Sequence, residues 1–299
     1  MVVTPRPAVV PVGSTPAQEP TDDGLFGPES ITWRIGVSAP MAIGGLTAAI
    51  VQMLVPRVMW MIDQSSSFFD YPESRGERTG QYEFTIIYGD RAAAEHAGET
   101  LRAIHRRRSA VDPTNGETYR ADQPDLLLWV HNSLTFMLLR AYNRWGGILT
   151  TDEQNRFVAE QRVAARLVGL DPEQAAGTTA ELQTYMRSMH PKLAFTAPCK
   201  RMLDLLAPSR PKPGAPGFLA WVLGRAAIDL FPPEHRLLYG IRWTRLDRLG
   251  ADAGARTLSQ LVRRQLPYSD AVLQARESAI AHAFGRGGKA RAPAPMAAS

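Results

Sequence analysis

Between Arg34 and Arg57 the chain runs for 22 residues without a charged side chain, and no other feature restricts the fold as strongly. Such a run belongs either in a membrane or in a protein core. Pro40 ends or restarts any helix there, and Gly36, Ser38, Gly44, Gly45 and Gln52 dilute the hydrophobicity. What remains, Met41 to Val55, is 15 residues, too short for a bilayer that takes about 20. The reading is a buried core helix, with a second helix starting at Arg57 after Pro56, and no transmembrane span.

A chain of 299 residues with 44% hydrophobic content can surround such a helix with a sizeable core. The lone Cys199 excludes an internal disulfide framework, a Cys-based zinc module and a cluster held by several thiolates. The net charge of +5 comes from 34 basic against 29 acidic residues. Only four of the basic residues are Lys (Lys192, Lys200, Lys212, Lys289), which reads as a coding bias toward Arg before it reads as a polyanion surface. No nucleic-acid partner is expected, since no aromatic residues interleave with the densest basic run, Arg106 to Arg108.

Residues 1–24 are punctuated by Pro5, Pro7, Pro11, Pro16 and Pro20 and read as a disordered arm. The arm lacks the continuous apolar core of a secretory signal, so a cytoplasmic location is expected. Residues 285–299, with Gly287, Gly288, Pro293 and Pro295, read as a disordered basic tail. One domain over 25–284 lies between them.

Within it the periodicity is helical. Ala94, Ala97, Leu101 and Ile104 recur at spacings of three and four, predicting a helix over 91–108. Asp112-Pro113-Thr114-Asn115-Gly116 is a turn cluster, and Asp122 stands where an N-cap belongs, ahead of Pro124. The helix over 126–142 is apolar nearly all round and is expected to be central. Gly146-Gly147 ends it. Thr150 with Glu153, and Thr178 with Glu181, cap two further helices. Others are expected at 201–206, 217–231, 233–250 and 268–284. With no run of alternating strands and no internal repeat, the fold class is all-α.

The chain has no Gly-x-Gly-x-x-Gly, no P-loop and no His-Glu-x-x-His. Six histidines carry whatever metal or proton chemistry exists. His131 shares a stripe with Leu127, Leu134 and Leu138, so its ring points into apolar surroundings and needs a hydrogen-bond partner or a metal. It is either a core histidine bonded to a carbonyl or an axial ligand to a haem iron walled by leucines. His105 flanks the stripe of the preceding helix, and Arg106 and Arg107 after it suit either a solvated helix end or anionic groups such as haem propionates. His96, His190, His235 and His282 sit in polar or loop settings and read as surface residues. Tyr88, Tyr119, Arg120 and Tyr142 read as structural groups.

Three segments carry a resemblance: Tyr88-Gly89-Asp90-Arg91, Leu101-Arg102-Ala103-Ile104-His105-Arg106-Arg107, and Tyr119-Arg120-Ala121-Asp122-x-Pro-x-Leu-Leu-Leu-Trp129-Val130-His131. With Gly27-Pro28-Glu29-Ser30-x-x-Trp33-Arg34 and Arg140-Ala141-Tyr142-x-Arg144, the chain resembles the rubber-oxygenase/MpaB-type oxygenase catalytic domain family over about residues 25–250. The resemblance implies a single globin-reminiscent helical domain holding b-type haem. It implies His131 as proximal iron ligand, with His105 catalytic in the distal region, Arg106, Arg107, Leu127 and Leu134 around the cofactor, and a small apolar substrate, an isoprenoid or other alkene, with O2 or peroxide. A His-Pro pair usual in the family's first long helix is replaced here by Val55-Pro56, so that histidine's role is lost. Oxidative tailoring without carbon–carbon cleavage, or a non-catalytic haem-binding or helical interaction module, are the competing functions. The oligomeric state is open.

Overall fold

The computed structural model describes residues 22–65 and 68–283. The charge-free run supplies α2 (Ala39–Gln52), after a short α1 (Ile31–Gly36) whose first turn is capped by Ser30, and ends at Pro56, the first residue of α3 (Pro56–Ser65). Ile43, Ile50, Val51 and Leu54 have no exposed surface. Among the described residues no single helix is long and apolar enough to cross a membrane, and α2 meets α3 at a bend of 97°.

Then come α4 (Pro72–Tyr88), α5 (Arg91–Arg107), a two-stranded antiparallel hairpin of β1 (Ser109–Val111) and β2 (Thr118–Arg120), and α6 (Pro124–Ala141). The turn cluster at 112–116 closes that hairpin, with the Gly116 amide donating to the Asp112 carbonyl at 2.8 Å. The rest is helical: α7 (Thr151–Val168), α8 (Thr179–Met189), α9 (Ala197–Leu206), α10 (Ala215–Leu230), α11 (Pro233–Leu238), α12 (Arg245–Gln265) and α13 (Tyr268–Ala283). The hairpin is a minor ornament on an all-α domain.

Local chemistry explains most boundaries. Asp90 Oδ1 accepts from the Ala93 amide at 2.8 Å to start α5. Thr150 and Glu153 form a reciprocal capping box on α7, and Gly169, at φ 96°, closes that helix in a left-handed turn. Asp122, however, does not cap α6. Its carboxylate pairs with Arg120, 2.8 Å from Nε and 2.7 Å from Nη2, and Gln123 takes the cap position before Pro124. The segment expected as one helix at 233–250 is two. It breaks at Gly240, φ 66°, and restarts on a Thr244–Asp247 capping box.

The core is built around α2 and α6. An added Cβ at Gly44 would lie 2.9 Å from both the Leu138 Cα and the Met137 carbonyl, so glycine sets the approach of these two helices. Trp129, Met137, Met59, Leu54 and Phe231 fill the main cluster. A smaller cluster joins α1, α4 and α13. Tyr88 donates to the Trp33 carbonyl at 2.9 Å, and its ring meets Trp33 edge-on at 5.0 Å.

Residues 22–24, expected in the arm, belong to the body. Asp22 Oδ1 accepts from the Gly24 and Arg91 amides at 2.7 and 2.9 Å, and Arg276 donates to the Asp22 carbonyl at 3.0 Å. The remainder of the arm and the tail over 285–299 lie outside the described residues.

Candidate functional site

His131 lies in the middle of α6, on a stretch of helix held from both sides. Trp129 Nε1 donates to the Gln52 carbonyl at 3.0 Å, and Gln52 Nε2 donates to the Val130 carbonyl at 3.1 Å. Thr135 Oγ1 donates to the carbonyl of His131 itself at 3.0 Å. The imidazole is half-buried, and among the described residues neither ring nitrogen has a hydrogen-bond partner. Burial pushes its pKa down to about 4, so the ring is neutral at pH 7 with a free lone pair.

The two leucines flanking it on the sequence stripe reach different neighbours. Leu127, 7% exposed, packs with Ala165, Leu170 and Ala175 beside α7, whereas half-buried Leu134 packs on the main cluster. Trp60, Ile62, Phe68, Phe69 and Val130 are likewise half-buried against that cluster and extend its apolar wall.

His105 is half-buried near the C-terminal end of α5, and Arg106 and Arg107 are exposed. The hairpin ties this end to the start of α6, because the Ala121 amide donates to the Arg108 carbonyl at 3.0 Å. Arg120 holds the Asp122 carboxyl below the ordinary range, and Arg106 contributes a smaller share. Arg106 therefore lies close enough to Asp122, just ahead of α6, to favour its charged form.

Tyr88, Tyr119 and Arg120 are structural, as expected. Tyr119 donates to the Arg57 carbonyl at 2.6 Å beneath the Arg57 guanidinium, which stacks 4.6 Å from the ring. Arg144 is placed by a single π-helical turn, Tyr142–Gly146, that continues α6. It pairs with the fully buried carboxylate of Asp229 and reaches Asp252 at 3.4 Å. Trp243 Nε1 donates to Asp229 at 2.7 Å and Trp145 Nε1 to Asp252 at 2.8 Å, so this network fastens α6 to α10 and α12.

Two features escape sequence reasoning. Glu83 lies within α4, where Gly76, Gly80 and polar residues hide the helical period, and burial raises its carboxyl to about 7. The neighbouring Tyr82 hydroxyl is buried without a partner among the described residues. His235, expected at the surface, is 1% exposed. Burial, with smaller effects from nearby charges, lowers its pKa to about 4. The Pro232-Pro233 corner turns this ring inward, against elements distant in sequence. His96 is exposed as expected, and the side chain of His282 lies outside the described residues.

Recesses open on the surface of the described residues. One of about 180 Å³ is lined by Val37, Tyr142, Ser259 and Tyr268, and one of about 540 Å³ by Phe136, Arg140, His190 and His235. His131 lines neither.

Comparison with known proteins gives one match. Residues 33–264 fit the family model described as ER-bound oxygenase mpaB/B'/Rubber oxygenase, catalytic domain. No curated protein and no solved structure matches the chain. The match spans α2 to α12 and includes His105, His131 and the Arg144 network, and by it the chain belongs to the mpaB/rubber-oxygenase catalytic-domain family of oxygenases.

Proposed function

We propose that the chain is a haem b-dependent oxygenase of a small apolar organic substrate, using O2 or peroxide, with His131 as proximal iron ligand. The observation that carries this reading is the unpartnered, neutral imidazole of His131 on a clamped helix, within an oxygenase-family domain. A protonated imidazole cannot ligate a metal, and burial keeps this one deprotonated down to about pH 4. The paired bonds of Trp129 and Gln52 fix the turn that aims it.

Bound there, haem would supply oxygen activation, and the polarity of the opposite pocket would set its course. Leu127 and Leu134 stand about one turn to either side of His131 on the apolar stripe of α6. Arg106 and Arg107, exposed at the end of α5, would pair with the haem propionates, although Arg106 also answers to Asp122. His105 would be the catalytic residue of the site. The wall of Trp60, Ile62, Phe68 and Phe69 favours an alkene or isoprenoid over a charged substrate.

The test is an absorption spectrum of the purified protein after haem supplementation. A Soret band that responds to CO or imidazole, and that His131→Ala abolishes or shifts, is expected. Colourless protein, or His131→Ala with an unchanged spectrum, would sink the ligand assignment. Two carbonyl products from an alkene would identify cleavage; a single oxygenated product would identify tailoring.

A further inference from the structure

The chain carries another group of metal-ligand side chains, away from the His131 face of α6. His190 follows α8 at the start of a one-turn 3-10 segment, His190–Lys192, and Glu234 and His235 lie side by side in α11. One donor atom from each of the three falls within 4.8 Å of the other two. His190 Nε2 lies 3.2 Å from Glu234 Oε1, and the two imidazoles meet edge-on with centroids 6.0 Å apart. Ligand atoms around a tetrahedral zinc ion, with bonds of about 2.1 Å, stand about 3.4 Å from one another.

His235 supplies the second, independent observation. Its ring is 1% exposed, and among the described residues both Nδ1 and Nε2 are buried without a hydrogen-bond partner. An orphaned buried polar group is costly, and a ring with both nitrogens orphaned is costlier still. The His190–Glu234 pair explains those two side chains but leaves His235 unexplained. Its neighbour Arg236 is satisfied, donating to the carbonyls of Asp229 and Phe231 at 3.2 and 2.7 Å. The backbone that presents Glu234 and His235 is therefore anchored.

We infer that His190, Glu234 and His235 form a three-ligand site for one divalent first-row transition ion, zinc above all, with its fourth position open to the 540 Å³ recess. Two imidazoles and one carboxylate are the donor set of such ions and too poor in oxygen for Ca²⁺ or Mg²⁺. Arg140 and Arg187 line the same recess, which further disfavours ions held by charge alone. Occupancy would staple the end of α8 to α11.

The experiment uses the full chain, stripped of metal by chelation, with zinc added and counted by elemental analysis, and with thermal unfolding followed in parallel. One zinc per chain and a raised Tm are expected. His190→Ala and Glu234→Gln alter partly exposed side chains, 40% and 44% exposed, and should keep the native circular dichroism. Each should weaken zinc at least about tenfold, by analogy with the loss of supporting ligands, and their combination should abolish it. His131→Ala should retain zinc, which separates this site from the haem reading. No stoichiometric zinc in the wild type, zinc retained by the double variant, or zinc lost on His131→Ala would each overturn the assignment.

Discussion

Gln52 and Trp129 are bound reciprocally across the α2–α6 junction. The indole Nε1 donates to the Gln52 carbonyl at 3.0 Å, while the Gln52 amide donates to the carbonyl of Val130, one residue further on. This pair fixes the rotation of α6 at the two residues immediately before His131. Truncating Gln52 to Ala removes one neutral hydrogen bond, a loss of about 1 kcal/mol. Trp129→Phe also loses one donor but keeps most of the fully buried bulk. Each variant should lower the denaturant midpoint, and the double variant should depart from additivity, because both side chains restrain one joint. An unchanged midpoint for Gln52→Ala would show that the joint is held by packing alone.

Gly44 and Gly45 are adjacent in α2 and should respond oppositely to alanine. At Gly44 the new methyl would meet backbone atoms of Leu138 and Met137 at 2.9 Å, and neither can rotate away. Overpacking of this kind costs about 1–3 kcal/mol. At Gly45 nothing lies within 4 Å, so alanine should bring only its better helix propensity, up to about 1 kcal/mol. Thermal unfolding of the two variants decides the matter. A stabilised Gly44→Ala would mean that α2 and α6 can move apart freely.

The sequence exposed most of this framework because the informative signals were local. Capping chemistry at Thr150 and Thr178 and the apolar period of α5 and α6 each act within a few residues, and the helices stand where those signals put them. What stayed hidden depends on distant partners. Among the described side chains of α4 the buried positions Thr85, Ile86 and Tyr88 gather toward its C-terminal end, so no stripe announces the helix. Asp122 had the right type for a cap, but Arg120, two residues away, competes for its carboxylate. His235 looked polar, yet its ring is buried and meets that of His190, far away in sequence, which no spacing within α11 reveals. His131 was legible because its helix is apolar on every side. What its ring binds was not, since a bare nitrogen looks the same in sequence whether it meets a carbonyl or a metal.

Glu83 should make the protein lose stability as pH rises. Its carboxyl titrates at about 7 in the fold against an ordinary 4.5, because burial penalises the charged form. A raised acid pKa contributes fully below pH 4.5, and that contribution disappears between pH 4.5 and 7. The upper bound is about 3 kcal/mol, reduced by whatever water reaches the half-buried carboxyl. Glu83→Gln mimics the protonated form, so its stability relative to wild type should climb across that window and level off above it. A difference that stays constant with pH would mean the carboxylate is solvated in the fold.

His131 and His235 should act in the opposite sense in the chain free of haem and added metal. Both rings titrate at about 4 in the fold against an ordinary 6.5, with burial the main cause for each. A depressed histidine pKa leaves stability intact above pH 6.5. Below that, the unfolded chain takes up protons that the fold refuses, and stability falls until about pH 4. Each ring is worth at most about 3 kcal/mol, with His131 at the lower end because its ring is partly accessible. Between pH 4.5 and 6.5 Glu83 offsets one of the two protons, so the net slope should be close to one proton, steepening below pH 4.5. Urea unfolding at half-unit pH steps measures this directly. His235→Phe should flatten the curve by one proton, and His131→Phe by up to one more. A wild-type stability that instead rises as pH falls from 6.5 to 4.5, the slope Glu83 alone would give, would show that both imidazoles already have partners able to carry their charge.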